Sequence, residues 1–350
     1  MKKDKIKEIA KFLIFFITGV FLLYYVFLQQ GADWNKIYND FARINYFWIV
    51  MVILSYLLSN VSRSIRWQML IKPLGYEVKF SNSFMATMIG YYANTIIPRA
   101  GEVARPGILH KYEKIPMDKL LGTIFVDRLL DALSLLILIG LAFIFEFDKL
   151  WGYFYENSSI NANEHTTPFW QSSWFIFFMI ATVLTVVGIF FYWDFLKQSK
   201  IFKYGIQKAK GFWTGVTTLK HIDNIGLFII HSILIWLGFY LMTYLCFFAF
   251  PPMVHLSPVV GLVVIVCGTL GMIVPTPGGV GTYQYMVTTA LSLFYGIDKT
   301  EAFTFSNITF FAIFILNVLV GFLCYAILPI TNRGYHPQHY HQQNLYNNIK

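Results

Sequence analysis

Three groups of charged residues lie where charge is costly. Asp127, Arg128 and Asp131 fall inside the apolar run 119–145, among Leu120, Leu121, Ile124, Phe125, Leu129 and Leu130. An ionised side chain at such depth in hydrocarbon is expensive, so it faces a partner or a cavity. Asp127 and Asp131 are four apart and share a helix face, and Arg128 is three before Asp131. The trio reads either as a headgroup or proton site, or as a buried ion pair to an arginine of a neighbouring segment. Arg63 and Arg66 stand three apart at the end of the run 46–66, beside Trp67. The planar guanidinium fork suits phosphate. The alternative is anchoring at the membrane surface, with the apolar stems buried. A third group, Arg99, Glu102 and Arg105, surrounds Gly101 at spacings of three, so one helical turn would put all of them on one face.

The third group sits on a break. Ile96-Ile97-Pro98-Arg99-Ala100-Gly101 closes one short apolar segment, and Ile273-Val274-Pro275-Thr276-Pro277-Gly278, continuing Gly279-Val280-Gly281, closes another. Both fit Ile-(Ile/Val)-Pro-x-(Ala/Pro)-Gly, one in each half of the chain. Lipid cannot hydrogen-bond the backbone groups that such breakers free. Paired interruptions in corresponding positions point to a transporter-like binding site. The second break is nearly uncharged. It reads as a gate or an anion-cradling turn of bare backbone, with Tyr283, Gln284 and Tyr285 next in line, or else as a hinge or tight packing turn.

The elements that must position these groups follow from composition. The chain of 350 residues is 57% hydrophobic, 19% aromatic and 13% charged, against about 25% charged in a soluble domain. These values predict an all-α polytopic membrane protein, since the apolar runs are too long for barrel strands and lack their alternation. Six runs are long enough to cross the bilayer: roughly 10–28, 46–66, 119–145, 172–193, 225–249 and 303–329. The runs 82–97, 258–274 and 283–296 are shorter.

Loop charges set the sides. Lys2 to Lys11, then Arg63 to Lys79, then Arg99 to Lys119, then Lys197 to Lys220, and finally Arg333 read as cytoplasmic. The loops near 29–45 and 146–171 read as external. The segment 194–224 is either an amphipathic helix on anionic lipid or a plain basic loop. These assignments give an inverted repeat: 46–145 and 225–329 each hold a span, a re-entrant hairpin and a span, the hairpins entering from opposite sides. Residues 1–333 then form one integral membrane domain, 334–350 a polar cytoplasmic tail, and both termini lie in the cytoplasm.

The net charge of +9 belongs to basic loops and does not suggest nucleic acid. Cys246, Cys267 and Cys324 lie in apolar runs and read as buried thiols. No metal-ligand spacing, nucleophile constellation, phosphate loop or dinucleotide fingerprint is evident, so no cofactor and no catalytic residue is assigned. His336, His339 and His341 read as a solvated tail, His231 as a satisfied interior residue, and Asn307 and Asn317 as interhelical glue.

Arg63-Ser64-Ile65-Arg66-Trp67, Asn94 to Pro98 with Arg99-Ala100-Gly101-Glu102 and Arg105, Asp127-Arg128 with Asp131, and Pro275 to Gly281 together resemble the lysylphosphatidylglycerol synthase transmembrane-region family, flippase-like proteins of bacteria and archaea. The resemblance covers about 10–330. It implies a lipid flippase or lipid-headgroup transporter in a bacterial plasma membrane, without the aminoacyl-transferase domain of the best-known members. Where the family usually has Glu after the Gly-Gly-x-Gly run, this chain has Gln284. The expected partner is an anionic or zwitterionic phospholipid, with a homo-oligomer or a separate lipid-modifying transferase as further partners. In that reading Arg63, Arg66, Arg99 and Arg105 hold phosphate, while Glu102, Asp127 and Asp131 pair with them or with a headgroup amine. A membrane accessory to a lipid transferase and an ion-coupled solute carrier are the rival readings.

Overall fold

A computed structural model describes Asn39, residues 43–147, 213–214, 216–274 and 276–337. The expected spans 10–28 and 172–193, the expected external loop 146–171 beyond Phe147, the basic segment 194–224 up to Phe212, Pro275 and the end of the tail lie outside the described residues. Among those described, the chain forms eight α-helices: α1 (Tyr46–Ile71), α2 (Phe80–Ile96), α3 (Gly101–Glu113), α4 (Met117–Phe145), α5 (Ile225–Ala249), α6 (Pro258–Ile273), α7 (Thr282–Tyr295) and α8 (Lys299–Thr331). Four of them, α1, α4, α5 and α8, are long and apolar enough to cross a membrane. The protein is an all-α, multi-pass membrane protein.

Local sequence explains the ends. Asn45, Asn224 and Asp298 cap α1, α5 and α8 by accepting backbone N–H groups of the first turn. Proline opens α6 at Pro258, where its missing N–H does no harm. Gly296 closes α7 in the left-handed conformation at φ 65°. The helices α2, α3, α6 and α7 hold 17, 13, 16 and 14 residues. At 1.5 Å per residue each is about 20–25 Å long, short of a hydrocarbon core of about 30 Å.

The packing has an internal two-fold pattern. α1 lies along α5, α2 along α8 and α6 along α4, while α3 touches α4 and α7 touches α8. Exchanging the first four helices for the last four leaves this set of neighbours unchanged. Cross-helix bonds give the directions. The Asn45 N–H reaches the Ala249 carbonyl (2.9 Å), Ser59 donates to the Ile235 carbonyl (3.0 Å), and Lys72 pairs with Asp223 (2.8 Å), so α1 and α5 are antiparallel. Asn82 and Asn332 exchange amide hydrogen bonds, and Tyr92 stacks edge-on against Phe322, so α2 and α8 are antiparallel too. Glycine sets the closeness: a side chain at Gly238 would strike Ser59, and one at Gly321 would strike Tyr92 and the Met88 carbonyl. A shared core joins the two halves, with Tyr56, Met88, Met242, Phe247, Val264, Tyr283, Phe305 and Phe310 at its centre.

Two hairpins follow from this connectivity. The α2–α3 hairpin has its base at the end of the bundle that holds Ile71, Met117, Ile225 and Asn332, whereas the α6–α7 hairpin is based at the other end, near Phe145 and Ala249. Their tips meet inside. The Arg99 guanidinium donates to the Ile273 carbonyl (3.4 Å), and a side chain at Gly278 would lie 3.6 Å from the Thr95 Cα and 2.9 Å from the Phe314 ring.

The first hairpin keeps its expected place at about 82–117, its second arm being a helix, Gly101–Glu113, that continues through Pro106. The expectations for the breaks and for His231 are corrected. The two breaks do not superpose as aligned by their prolines. Four residues, 97–100, join α2 to α3, whereas eight, 274–281, join α6 to α7. The backbone matches Arg99 (φ 62°) to Gly278 (φ 61°), each following a proline. His231 is not fully satisfied, because its buried Nδ1 has no hydrogen-bond partner. Asn317 and Asn307 do bridge helices, accepting from Tyr56 (2.8 Å) and Gln284 (3.5 Å).

Candidate functional site

The site is an ion cluster built by three helices. The spacings of three on α1 and four on α4 turn Arg63 with Arg66, and Asp127 with Asp131, toward each other. The Asp127 carboxylate is fully buried and serves three arginines. Its Oδ1 accepts from Arg66 Nε (3.1 Å) and Nη2 (2.6 Å). Its Oδ2 accepts from Arg105 Nη1 (2.9 Å) and lies 3.5 Å from Arg63 Nη1. Asp131 accepts from Arg63 Nη1 (2.7 Å) and Arg66 Nη2 (2.7 Å). Arg128, 44% exposed, approaches Asp131 from the rim at 3.8 Å.

Aromatic rings complete the walls. Trp67 carries the Arg105 guanidinium on its face at 4.0 Å and anchors its own indole N–H on Thr123 (3.0 Å). A cation over a desolvated indole is worth about 2 kcal/mol. Phe239 of α5 lies 5.5 Å from the Arg63 guanidinium. Arg105 reaches this place because Gly90 and Gly101 bring α2 and α3 close together. The Gly101 Cα sits against the Gly90 carbonyl, and the Gly101 N–H is held by the Asn94 side chain (2.7 Å).

The sequence-selected residues thus divide. Arg63, Arg66, Arg105, Asp127 and Asp131 come together, and Arg128 touches their edge. Arg63 and Arg66 do not reach outward as surface anchors, being 3% and 0% exposed. Asp127 does hold an ion pair to the neighbouring hairpin, through Arg105. Arg99 and Glu102 stay apart from the cluster, and both are exposed: Arg99 precedes α3 in the left-handed region and so leaves the expected common face, while Glu102, on α3 itself, faces outward where Arg105 is buried.

At the second hairpin Gln284 is fully buried and turned inward. It accepts the Gly281 N–H (2.8 Å) and donates to Asn307 (3.5 Å), capping α7 and tying it to α8. Gly278, Gly279 and Gly281 all have positive φ, and this conformation together with the nearby Phe314 and Met272 side chains explains their lack of side chains. Pro98 closes the first tip and Pro277 leads into the second turn.

Sequence reading missed a second polar centre at the base of the first hairpin. Glu113, 1% exposed, accepts from the Lys79 N–H (3.2 Å), the Asn82 amide (2.6 Å) and the Tyr335 hydroxyl (3.0 Å), and so fastens α3 to α2 and to the chain beyond α8. Burial and the Glu113 carboxylate push the Tyr335 phenol up to about 12. The basic run Lys111 to Lys119 concealed Glu113, whose partners are up to 222 positions away in sequence.

Residues 9–321 match the family described as "Lysylphosphatidylglycerol synthase TM region". The UPF0104 membrane protein MJ1595 of Methanocaldococcus jannaschii is 32% identical over 130 residues, which is 36% of this chain and 38% of that protein. The chain therefore matches less than half the length of that relative. No solved structure matches.

Proposed function

We propose that this chain, which belongs to the lysylphosphatidylglycerol synthase TM-region family, moves a phospholipid or related lipid between the leaflets of the membrane it spans. The observation that carries this reading is the meeting of two broken-helix hairpins, based at opposite ends of the bundle, at tips joined by Arg99 and the Ile273 carbonyl. Inverted repeats with interrupted helices place a substrate between the repeats, and rocking one against the other exposes it to each side in turn. Beside the tips, Val103, Met272, Ile273 and Val274 are exposed, an apolar surface suited to acyl chains.

One end of the bundle carries Lys72, Lys79, Lys111, Lys114, Lys119, Lys220 and Arg333 on its connections and adjoining helix ends. By that bias we take this end as cytoplasmic in the proposed arrangement, with the α2–α3 hairpin entering from inside and the α6–α7 hairpin from outside. Reconstituted vesicles holding a headgroup-labelled phospholipid test the proposal. Protein-dependent access of the inner-leaflet label to an external quencher is expected, and it should be lost when Arg99 is changed to Ala. No access, with stable co-purification of a lipid transferase, would replace transport by an accessory role; uptake of a soluble solute without lipid movement would favour a solute carrier.

A further inference from the structure

Building on the lipid-transport reading, we infer that the buried ion cluster binds one phosphodiester group, received side-on by the Nε and Nη2 atoms of Arg105 while its Nη1 stays on Asp127. The charge count comes first. Arg63, Arg66 and Arg105 face Asp127 and Asp131, all within a few ångströms and nearly out of solvent. Among these five buried groups one positive charge is left over; Arg128, 44% exposed, adds its charge only at the solvated rim. A buried, uncompensated cation is strongly unfavourable, so the cluster favours a partner of charge minus one.

The donors say where that partner sits. Arg66 commits its Nε and Nη2 edge to Asp127, and Arg63 commits Nη1 to the aspartates. Arg105 commits only Nη1. Its Nε and Nη2, both buried, make no hydrogen bond, and neither does Arg63 Nε. Nε and Nη2 lie on one edge of the guanidinium and present two parallel N–H groups, the geometry that matches two oxygens of a phosphate. Trp67 covers one face of the same guanidinium, which orients that edge.

The carboxylates say what is not read here. Both oxygens of Asp127 and both of Asp131 already accept from arginine. With every carboxylate oxygen already engaged by arginine and the buried net charge positive, an ammonium headgroup is disfavoured here, and a phosphate dianion would overshoot the single spare buried charge. The shared chemistry is a monoanionic phosphodiester, whatever its headgroup. Because both donor atoms are out of contact with solvent, it arrives only when the α2–α3 hairpin, which carries Arg105, shifts away from α1 and α4.

The test uses the full chain in detergent micelles. Retained lipid is measured by native mass spectrometry, and unfolding temperature is followed with phosphatidylglycerol, phosphatidylcholine or diacylglycerol added. Both phospholipids should be retained and should raise the unfolding temperature, while diacylglycerol should do neither. Arg105→Lys keeps the charge and loses the fork, so phospholipid retention should fall about tenfold. Lys72→Gln, which removes a cation from an exposed pair, should change nothing. Retention of diacylglycerol equal to that of phosphatidylglycerol overturns the assignment without reference to any variant, as does Arg105→Lys that folds and retains lipid like the parent. Displacement by soluble glycerophosphoglycerol would identify free phosphodiesters as the source; lack of displacement, with phospholipid retained, identifies the lipid. Retention without transbilayer movement would sink the flippase proposal and leave this site standing.

Discussion

Asp127 is the residue on which the cluster turns. One carboxylate neutralises arginines from two helices besides its own, so Asp127→Asn leaves buried guanidinium groups without a counter-charge. Breaking a buried pair in this way costs about 3–5 kcal/mol, and the unfolding temperature of the purified variant should drop steeply; an unchanged midpoint would show that the cluster is solvated in the folded protein. Arg99 stands at the other extreme. It holds φ 62° without being glycine, at a cost of about 1–2 kcal/mol, and its side chain makes the tip-to-tip bond. Arg99→Gly should hold or slightly raise stability while lowering lipid movement in vesicles, and a large loss of stability would instead assign Arg99 a purely structural role. The chemical types at these positions were legible in the sequence, since spacing alone puts Arg63 with Arg66 and Asp127 with Asp131. The separation of Arg99 from Arg105 was not legible, because a left-handed residue ahead of α3 does not continue its helical face; nor was that of Glu102, which shares α3 with Arg105 but stays exposed while Arg105 turns toward α1 and α4.

The α2–α3 hairpin depends on one contact that only glycine permits. A methyl group at Gly101 would run into the Gly90 carbonyl backbone, so Gly101→Ala should cost about 1–3 kcal/mol by overpacking. At Gly107, on the same helix, a methyl group would enter open space, with no atom within 4 Å, and Gly107→Ala should stabilise α3 by about 0.5–1 kcal/mol. Unfolding midpoints of the two variants moving the same way would contradict the hairpin packing. The base of that hairpin adds a pH signature. The Tyr335 phenol titrates near 10 in an unfolded chain and is pushed up to about 12 when folded. Its contact with Glu113 therefore stabilises fully below pH 10 and is lost as pH rises toward 12. A loosening of the segment after α8 between those values, absent in Tyr335→Phe, is expected by hydrogen exchange or limited proteolysis.

At the scale of the whole molecule, the opposed hairpins predict sidedness. In a background with Cys246, Cys267 and Cys324 changed to Ser, single cysteines at Lys79 and His255 should react with an impermeant thiol reagent from opposite faces of sealed vesicles. A Thr95→Cys, Gly278→Cys pair, whose tips adjoin, should cross-link on oxidation and arrest lipid movement; labelling from one face, or no cross-link, would refute the arrangement. The sequence by itself determined a helical membrane protein, the two interrupted segments, the opposed polarity of its halves and the residue types of the charged site. Those features are local or statistical, set by apolar run length, helix breakers and the distribution of Lys and Arg. Only the tertiary structure decided which arginine answers which aspartate, that Gln284 caps α7 and ties it to α8, that Glu113 is a buried fastener, and that the two Pro-Gly breaks touch. Each of these depends on groups brought together across tens to hundreds of residues by antiparallel packing of glycine-lined helices, and no spacing along the chain encodes that approach.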